Sequence, residues 1–434
     1  MDNKLEKIVS LCKRRGFVFQ GSEIYGGLAG TWDYGPYGAE LSNNVKNLWW
    51  KMFVTDREDM FGMDAAIIMH PKAWEASGHV HGYGFADPLV ECQKCHHRFR
   101  ADQLDDKTKC PDCGGILGEQ THFNLMFKTQ VGTGEEISYL RPETAGGMFV
   151  NFKNILDSMH PKLPFGLAQI GKSFRNEIAP RDFVFRSREF RQMEVEYFIY
   201  PDKWEQSFEE WRKTIQTWCE AIGLDKSHVH ELEVPDADRA HYSKRTIDFE
   251  FDYPFGRKEL YGLAYRTDFD LKAHSVGSGV DLSYFDEETK ERFTPHVIEP
   301  SLGLDRTILA ILTDAYTEDE MNGEKREFLK LKPALTPVKI AVFPLLKNKP
   351  ELVEKAKEIY KILKAEFICE FDDNGNIGKR YRRQDEIGTP FCVTIDFETI
   401  EKSNGVTVRD RDTGKQDRIS ESDLIFHLRQ KLSQ

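Results

Sequence analysis

Apolar and polar positions alternate most regularly in two runs, Gly166 to Glu177 and Arg188 to Tyr200, and a period of two predicts strands. Ala179-Pro180-Arg181-Asp182 supplies turn chemistry between them, so the pair reads as a hairpin. From Phe293 to Thr313 a short apolar strand carrying Glu299 passes through Pro300, Ser301 and Gly303 into an apolar helix with Arg306 on its first turn. Glu40 to Met69 opens with helical periodicity (ELSNNVKNLWWKMFV) and ends in an extended apolar run (AAIIM), a pattern a plain core helix also satisfies. Trp204 to Leu224 has apolar residues at helical spacing with a glycine stop and reads as scaffold. Residues 314–334 lose periodicity and gain charge, as a linker or helix-loop would. After Pro337 the pattern becomes strand, helix, strand (VKIAVFPLL, KPELVEKAKEIYKILKAE, FICEFDD), then a helix start near Ile377 and two further strands. This predicts an α/β layer with a mostly parallel sheet.

Charge changes the picture on the hairpin. Arg175, Glu177, Arg188, Glu189 and Glu194 crowd a short length of strand, which is costly to bury unless a charged ligand completes the pairing. A solvent-facing hairpin laced with ion pairs also fits that pattern. Arg306 at a glycine-bounded helix start suits a polyphosphate, because helix N-termini and guanidinium groups both favour anions, although an ordinary strand-to-helix corner has the same spacing. The formal net charge of −12 does not exclude a nucleic-acid partner, since recognition needs only a local basic surface. Residues 335–434 are close to neutral, and Lys379, Arg380, Arg382 and Arg383 around Tyr381 form their most basic cluster. Such a cluster suits unpaired bases and phosphates; a solvated helix start is the plainer alternative. No apolar run approaches the ~18 residues of a membrane span, and the N-terminus mixes both charges, so no membrane association and a cytoplasmic address are expected.

Of the eight cysteines, Cys12, Cys219, Cys369 and Cys392 are isolated, unlike a secreted disulfide framework. Cys92-x-x-Cys95 and Cys110-x-x-Cys113 have the spacing of a structural Zn²⁺ ribbon or knuckle, four thiolates closing a tetrahedral site. His96 and His97 read as exposed knuckle residues.

Taken in order, the three segments resemble the three signature motifs of class II aminoacyl-tRNA synthetases. Phe174-Arg175-Asn176-Glu177, Arg188-Glu189-Phe190, Arg141-Pro142-Glu143-Thr144-Ala145, Arg266-Thr267-Asp268 with Asp270-Leu271, and Glu299-Pro300-Ser301 are similar to glycyl-tRNA synthetases of the single-chain homodimeric type. So are the run at 26–36, His70-Pro71, and Trp74 through His79. The resemblance implies an α+β catalytic domain with a mostly antiparallel sheet over 1–325, a zinc-ribbon-like insertion at 88–120 and a mixed insertion near 200–245. It also implies a C-terminal α/β anticodon-binding domain over 326–434.

By the same resemblance the substrates are glycine, ATP with Mg²⁺, and tRNA(Gly), the chain is a homodimer, and DNA is not a partner. Catalysis is two-step, with glycyl-adenylate formed first and passed to the tRNA 3′ end, and positioning and charge neutralisation do the work. Arg175 would bridge the glycine carboxylate and the α-phosphate, Phe190 would stack on adenine, and Arg306 would hold the γ-phosphate. Asn176, Glu177, Phe185, Arg186, Ser187, Arg188, Glu189, Leu260, Gly303, Leu304 and Asp305 would complete the nucleotide site, with Glu259 and Glu299 near Mg²⁺. Glycine would meet Arg100, Glu143, Phe190, Arg191, Gln192, Met193, Glu194, Glu299, Pro300, Ser301, Leu302 and Gly303, three of whose carboxylates are relieved by the substrate ammonium. No editing domain is needed, since no smaller amino acid exists to reject. Two positions depart from the family pattern: Gly146 stands in place of Gln, and Arg191 in place of the Glu usual in bacterial relatives. On a strand Arg191 should face away from Phe190 and Gln192. An inactive synthetase-like accessory protein would be expected to lose Arg175, Glu177, Phe190 and Arg306, all present here. A proline or threonine enzyme fits the acidic pocket and paired CxxC less well.

Overall fold

The computed structural model describes the chain except residues 1–3, 81–84, 135, 322, 403 and 434. Its centre is a seven-stranded sheet. In chain order the strands are β1 (Met60–Gly62), β2 (Phe165–Phe174), β3 (Glu189–Ile199), β4 (Val229–Glu233), β5 (Arg245–Tyr253), β6 (Gly256–Thr267) and β7 (His296–Gly303). Their spatial order is β4-β5-β6-β7-β3-β2-β1, antiparallel throughout except for the β1–β2 edge.

Strict alternation decides which face each residue takes. On β5, Ile247, Phe249, Phe251 and Tyr253 point into the principal core; on β3, Met193, Val195 and Tyr197 do so. Three helices cover that face: α2 (Pro36–Trp50), α5 (Trp204–Ala221) and α7 (Leu304–Ala315), with α1 (Lys4–Arg15) beside them. On α5 the buried residues Phe208, Trp211, Ile215, Trp218 and Cys219 recur at helical spacing. Proline opens α2, and Gly38 lets it approach the chain: a Cβ there would lie 1.9 Å from the Phe17 carbonyl oxygen. The opposite face carries α3 (Pro71–Ala76), α4 (Ala145–Met159) and α6 (Phe269–Ser278) at one end of the sheet, around a smaller core that includes Phe149, Phe152 and Phe198. The rest of that face is open and holds the charged residues.

Three expectations change. The segment near 200–245 is not an insertion, because α5 packs on the sheet and β4 extends it. Residues 314–334 are not a loose linker: strands Tyr316–Met321 and Glu324–Leu329 pair antiparallel, so a boundary at 325/326 would cut the second strand. Outward charged residues hid its alternation, while Phe328, Leu329 and Arg326 are buried. The C-terminal sheet comprises β8 (Ile340–Pro344), β9 (Cys369–Phe371), β10 (Phe391–Ile395), β11 (Val406–Asp410) and β12 (Gln416–Ile419), in the order β9-β8-β10-β11-β12. Only β9-β8-β10 is parallel. The β11–β12 link is too short for a crossover and closes as a hairpin, with Gly414 at φ +68 donating its N–H to Asp410 O at 2.9 Å. Helices α8 (Pro350–Lys364), α9 (Ile377–Ile387), α10 (Phe397–Glu401) and α11 (Leu424–Leu432) accompany this sheet; the buried Asp385 of α9 ties it to the 316–329 hairpin through Arg326 (3.2 Å) and to β11 through Arg409 (2.7 Å).

Candidate active site

The expectation of one long hairpin is met in the strands and not in the turn. β2 ends at Phe174 and β3 begins at Glu189, leaving 175–188 as a loop. Phe183 and Val184 are buried in the principal core and pull the loop down, at the expense of positive φ at Asp182 (58°) and Phe183 (57°). The result is a cavity of about 400 Å³ between this loop, β3, the start of α7 and the strand Ala86–Glu91.

Its lining is dominated by guanidinium groups. Arg175 is anchored by its Nε on Pro142 O (3.1 Å) and lies 5.3 Å from the Phe190 ring centroid, leaving its outer nitrogens toward the cavity. Arg306, on the first turn of α7, donates from Nη1 to the Glu259 carbonyl (3.0 Å) and carboxylate (3.1 Å) and lies 4.4 Å over the Phe185 ring. Arg186 Nη1 and Glu177 Oε2 are buried without a hydrogen-bond partner among the described residues, which is costly unless a ligand supplies one. Arg100 enters from the cysteine-rich module, paired with Asp87 (2.7 Å) and Asp102 (2.8 Å). Ser187, Gln192, Leu260, Ser301, Gly303 and Asp305 complete the wall with Phe185 and Arg191.

Beside this cavity, β3 and β7 carry an acidic cluster on the same open face. Glu194 accepts from Ser301 Oγ (2.6 Å), Gln192 Nε2 (3.2 Å) and both the N–H (3.1 Å) and hydroxyl (2.5 Å) of Thr144. Glu143 lies 3.6 Å from His79 Nε2. Glu299 accepts from Arg266 Nη1 (2.7 Å), whose other nitrogens clamp Asp270 at 2.8 Å and whose plane stacks 3.9 Å from the Tyr242 centroid. Burial alone would raise Glu143, Glu194 and Glu299. His79, Arg266 and Arg175 reverse this for Glu143, holding it down to about 2, whereas burial outweighs Arg266 at Glu299, which is pushed up to about 8. Burial and the Glu143 charge raise Glu194 as well.

Several sequence assignments are corrected by where the side chains go. Met193 and Leu302 lie in the core below the sheet, and Pro300, alternating with Glu299 and Ser301, takes the same far face; none reaches the acidic cluster. Leu304 is likewise core, and Glu189 pairs with exposed Lys172 on the far side from Phe190. Arg188 turns to Ala29 O (2.8 Å) and Glu177 O (3.2 Å), while Asn176 is fixed through its N–H to Leu125 O (2.8 Å), so both shape the loop and neither lines the cavity. Arg191 does face away from Phe190, as its position predicts: its guanidinium meets Asp305 (2.9 Å), Ser42 Oγ (3.0 Å) and the Tyr34 ring (4.0 Å). Its charge is thus spent behind the sheet and does not touch Glu194. Glu259 and Glu299 cannot share one ion: Glu299 pairs with Ala264, five residues along β6 from Glu259, and at ~3.4 Å per residue their backbones are roughly 17 Å apart.

Sequence pattern gives no role to Arg266, Asp270, His79, Thr144, Asp87 or Tyr34, all of which support the site. The spacing of Arg266 and Asp270, i and i+4 across a strand-to-helix junction, is the available signal for the first two.

The four Sγ atoms of Cys92, Cys95, Cys110 and Cys113 lie within 4.8 Å of one another, with Cys92–Cys113 and Cys95–Cys110 both at 3.6 Å. Tetrahedral bonds of ~2.3 Å to zinc require sulfur separations of roughly 3.8 Å, so the set fits such an ion. His96 and His97 are exposed and pair with Glu91 and Asp112. In the C-terminal body, Arg380 is corrected: it is fully buried and donates to the carbonyls of Pro344, Asp373 (3.0 Å) and Gly375 (2.7 Å), a structural role that removes it from any surface. Arg383 is held by Asp372 (2.9 Å) and Arg382, half-buried, reaches Glu324 of the 316–329 hairpin (3.4 Å), whereas Lys379 is exposed.

A sheet of this order, bearing a guanidinium-lined cavity formed by a strand-loop-strand and a strand-helix corner, defines a class II aminoacyl-tRNA synthetase. The family model described as the tRNA synthetase class II core domain (G, H, P, S and T) matches residues 127–315, and that described as the anticodon binding domain matches 339–431. The chain is 49% identical over 459 aligned positions to a glycine–tRNA ligase of Bacillus cereus, covering 99% of both chains. It is 50% identical over 457 positions to the glycine–tRNA ligase of Thermobifida fusca, covering 99% of this chain and 98% of that one. The chain belongs to the glycine–tRNA ligase family. Among the described residues no helix is long and apolar enough to cross a membrane.

Proposed function

We propose that this protein is a cytoplasmic, homodimeric glycine–tRNA ligase that joins glycine to ATP, releasing pyrophosphate, and passes the glycyl group to the 3′ hydroxyl of tRNA(Gly). The observation that carries this reading is the junction, within one open face, of an Arg175/Arg306 cavity with an acidic cluster built on Glu143, Glu194 and Ser301.

Arg175, beside both regions, neutralises the glycine carboxylate and the α-phosphate as the carboxylate oxygen attacks phosphorus. Phe190 offers its ring to adenine, and Arg306 draws the γ-phosphate toward α7, bending the nucleotide so that pyrophosphate departs in line. Glu177 and Arg186, each with a buried polar atom to satisfy, take polar contacts with the nucleotide. Mg²⁺, when bound, neutralises phosphate charge, with Glu259 the nearest carboxylate to Arg306. On the other side Glu194, Glu143 and Ser301 grip the ammonium, and the space they leave excludes a side chain on Cα. Structural zinc on the four cysteines would fix the strand bearing Arg100 over the cavity.

The 1–325 and 326–434 bodies are assigned catalysis and anticodon binding, with the junction shifted past the 316–329 hairpin to about 330–338; Lys379, Arg382 and Arg383 are the tRNA-facing candidates. Ile24, Tyr25 and Leu28, 89%, 87% and 57% exposed on one loop ahead of α2, supply an apolar surface suited to a second copy. The testing experiment is pyrophosphate exchange into ATP with glycine, alanine, serine, proline and threonine in parallel, on protein of mass determined by sedimentation. Exchange with glycine alone is expected from a dimer. Exchange with another of these amino acids would overturn the pocket reading, and none at all would overturn the catalytic one.

A further inference from the structure

One buried carboxyl group is left without an assignment. Glu196, on β3, is fully buried, and neither of its oxygens has a hydrogen-bond partner among the described residues. Its neighbour in register is known: Glu194 opposes Ser301 and Tyr197 opposes Ile298, so Glu196 stands directly across the β3–β7 ladder from Glu299. Both side chains take the open face, and opposite residues on one face of an antiparallel pair have Cβ atoms ~5 Å apart. Two buried carboxylates at that separation cannot both be charged.

We propose that Glu196 is a positioning residue of the amino-acid pocket, a neutral carboxylic acid that offers its O–H as a hydrogen-bond donor to Glu299 and thereby allows Glu299 to become the anion that receives the substrate ammonium. The inference rests on the glycine-activating function proposed above. The surroundings of the pair are complete enough to fix the direction of proton movement. From β3 it faces Glu194; from β6, Arg266; from α6, Asp270 and His274; from the residues ahead of α4, Glu143; and from the segment after α3, His79. Tyr242 covers Arg266. Burial first and the Glu299 charge second push Glu196 well above the ordinary carboxylate range, so it retains its proton whether or not substrate is bound. Glu299 titrates near 8, so at neutral pH it too is mostly protonated while the pocket is empty.

Arrival of the ammonium then favours ionised Glu299. One proton leaves Glu299 for solvent, the Glu196 proton stays on Glu196 and is shared with the new carboxylate, and Arg266 keeps its bond to the other oxygen. By linkage, the bound form carries one proton fewer, so glycine affinity rises with pH up to about 8 and levels off there, until the substrate's own ammonium begins to deprotonate.

The test compares wild type, Glu196→Gln and Glu196→Met by glycine-dependent pyrophosphate exchange from pH 6 to 9, with calorimetry of glycine binding at pH 7 in phosphate and in Tris. In wild type the glycine KM falls by up to tenfold per pH unit below about 8, and the binding heat differs between the buffers because a proton is released. Glu196→Gln keeps a donor and preserves both behaviours. Glu196→Met removes the donor and raises the glycine KM at pH 7 by about tenfold or more, with recovery toward pH 9 and with the ATP KM and kcat at pH 9 unchanged. Should Glu196→Met fail to fold, Glu196→Gln still decides, since loss of the pH slope or of buffer-dependent heat in that variant overturns the proposal. A wild-type KM independent of pH, or Glu196→Gln matching Glu196→Met, would overturn it too. Absence of glycine-dependent exchange in wild type would instead overturn the function on which it rests.

Discussion

Replacing Arg306 by Ala isolates the contribution of one guanidinium to ATP activation. In the free protein this group is held by the Glu259 carbonyl at 3.0 Å, the Glu259 carboxylate at 3.1 Å and the face of Phe185 at 4.4 Å, on a helix whose first turn is otherwise buried. Those contacts are partly exposed, and their loss should cost the fold no more than about 1 kcal/mol. A γ-phosphate accepting two hydrogen bonds from this cation gains about 1.5–3 kcal/mol from each, roughly 3–6 kcal/mol in all, or about 10² to 10⁴ in kcat/KM for ATP. Arg306→Lys keeps the charge and loses the fork, so it should fall between the two. The assay is pyrophosphate exchange with ATP varied at saturating glycine, then glycine varied at saturating ATP, with thermal unfolding as the check on folding. The expected pattern is a large loss in kcat/KM for ATP and a glycine KM within about twofold of wild type. A loss below about tenfold, or one that appears mainly in the glycine KM, would refute the assignment of Arg306 to the phosphate end.

Metal content offers an independent check on the cysteine module: about one zinc per chain is expected after purification without chelator, and Cys113→Ser should lower both zinc content and activity while the C-terminal body unfolds as before. Gly146→Gln would install the side chain usual in the family, yet a Cβ there meets the Trp74 ring at 2.9 and 3.0 Å, so calorimetric unfolding should report destabilisation of about 1–3 kcal/mol unless a smaller residue replaces Trp74 at the same time. In the C-terminal body, Arg382→Glu with Lys379→Glu should weaken tRNA charging and leave pyrophosphate exchange intact. Arg380→Ala should instead unfold the domain, because three or more carbonyls lose their donor; a soluble, fully stable Arg380→Ala would contradict its structural role.

How much of the fold and site is legible in the sequence depends on what kind of interaction places each residue. The strands of the hairpin at 165–199, the helix after Gly303 and the paired CxxC follow from period and spacing, which are local, and they appear where the pattern puts them. The loop between the strands escapes that reading because its shape is set by Phe183 and Val184 entering a distant core, which no local turn signal records. Arg380 and Arg382 look alike in sequence; only the carbonyls of Pro344, Asp373 and Gly375 around the first separate a fully buried strut from a half-buried cation paired with Glu324. The face of Arg191 is readable from alternation, whereas its partner Asp305 lies 114 positions away. The 316–329 hairpin is hidden by its own charged outer face.

The two halves of the site handle charge in opposite ways, and this explains why one chain can hold an anion and a cation a few ångströms apart. In the nucleotide cavity the guanidinium groups of Arg175, Arg186 and Arg306 are only partly matched by Glu177 and Glu259, so phosphate completes the pairing. In the amino-acid pocket the surplus is negative, and a low-dielectric setting makes an uncompensated cluster of Glu143, Glu194, Glu196, Glu299 and Asp270 prohibitive. Arg266 offsets Asp270 and, with Arg175, compensates Glu143, which stays ionised, while protonation removes the charge of Glu196 and most of that of Glu299; the empty pocket is thus close to neutral and its further negative charge appears as the ammonium enters. A pocket in which every carboxylate was permanently ionised would attract any small cation, while one that keeps only Glu143 ionised and gains its further anion on binding favours an ammonium that can also donate hydrogen bonds to Glu194 and Ser301. Selectivity against metal cations therefore belongs to the same buried acids that select glycine by size, and glycine-dependent exchange should hold its KM in tens of millimolar potassium or sodium.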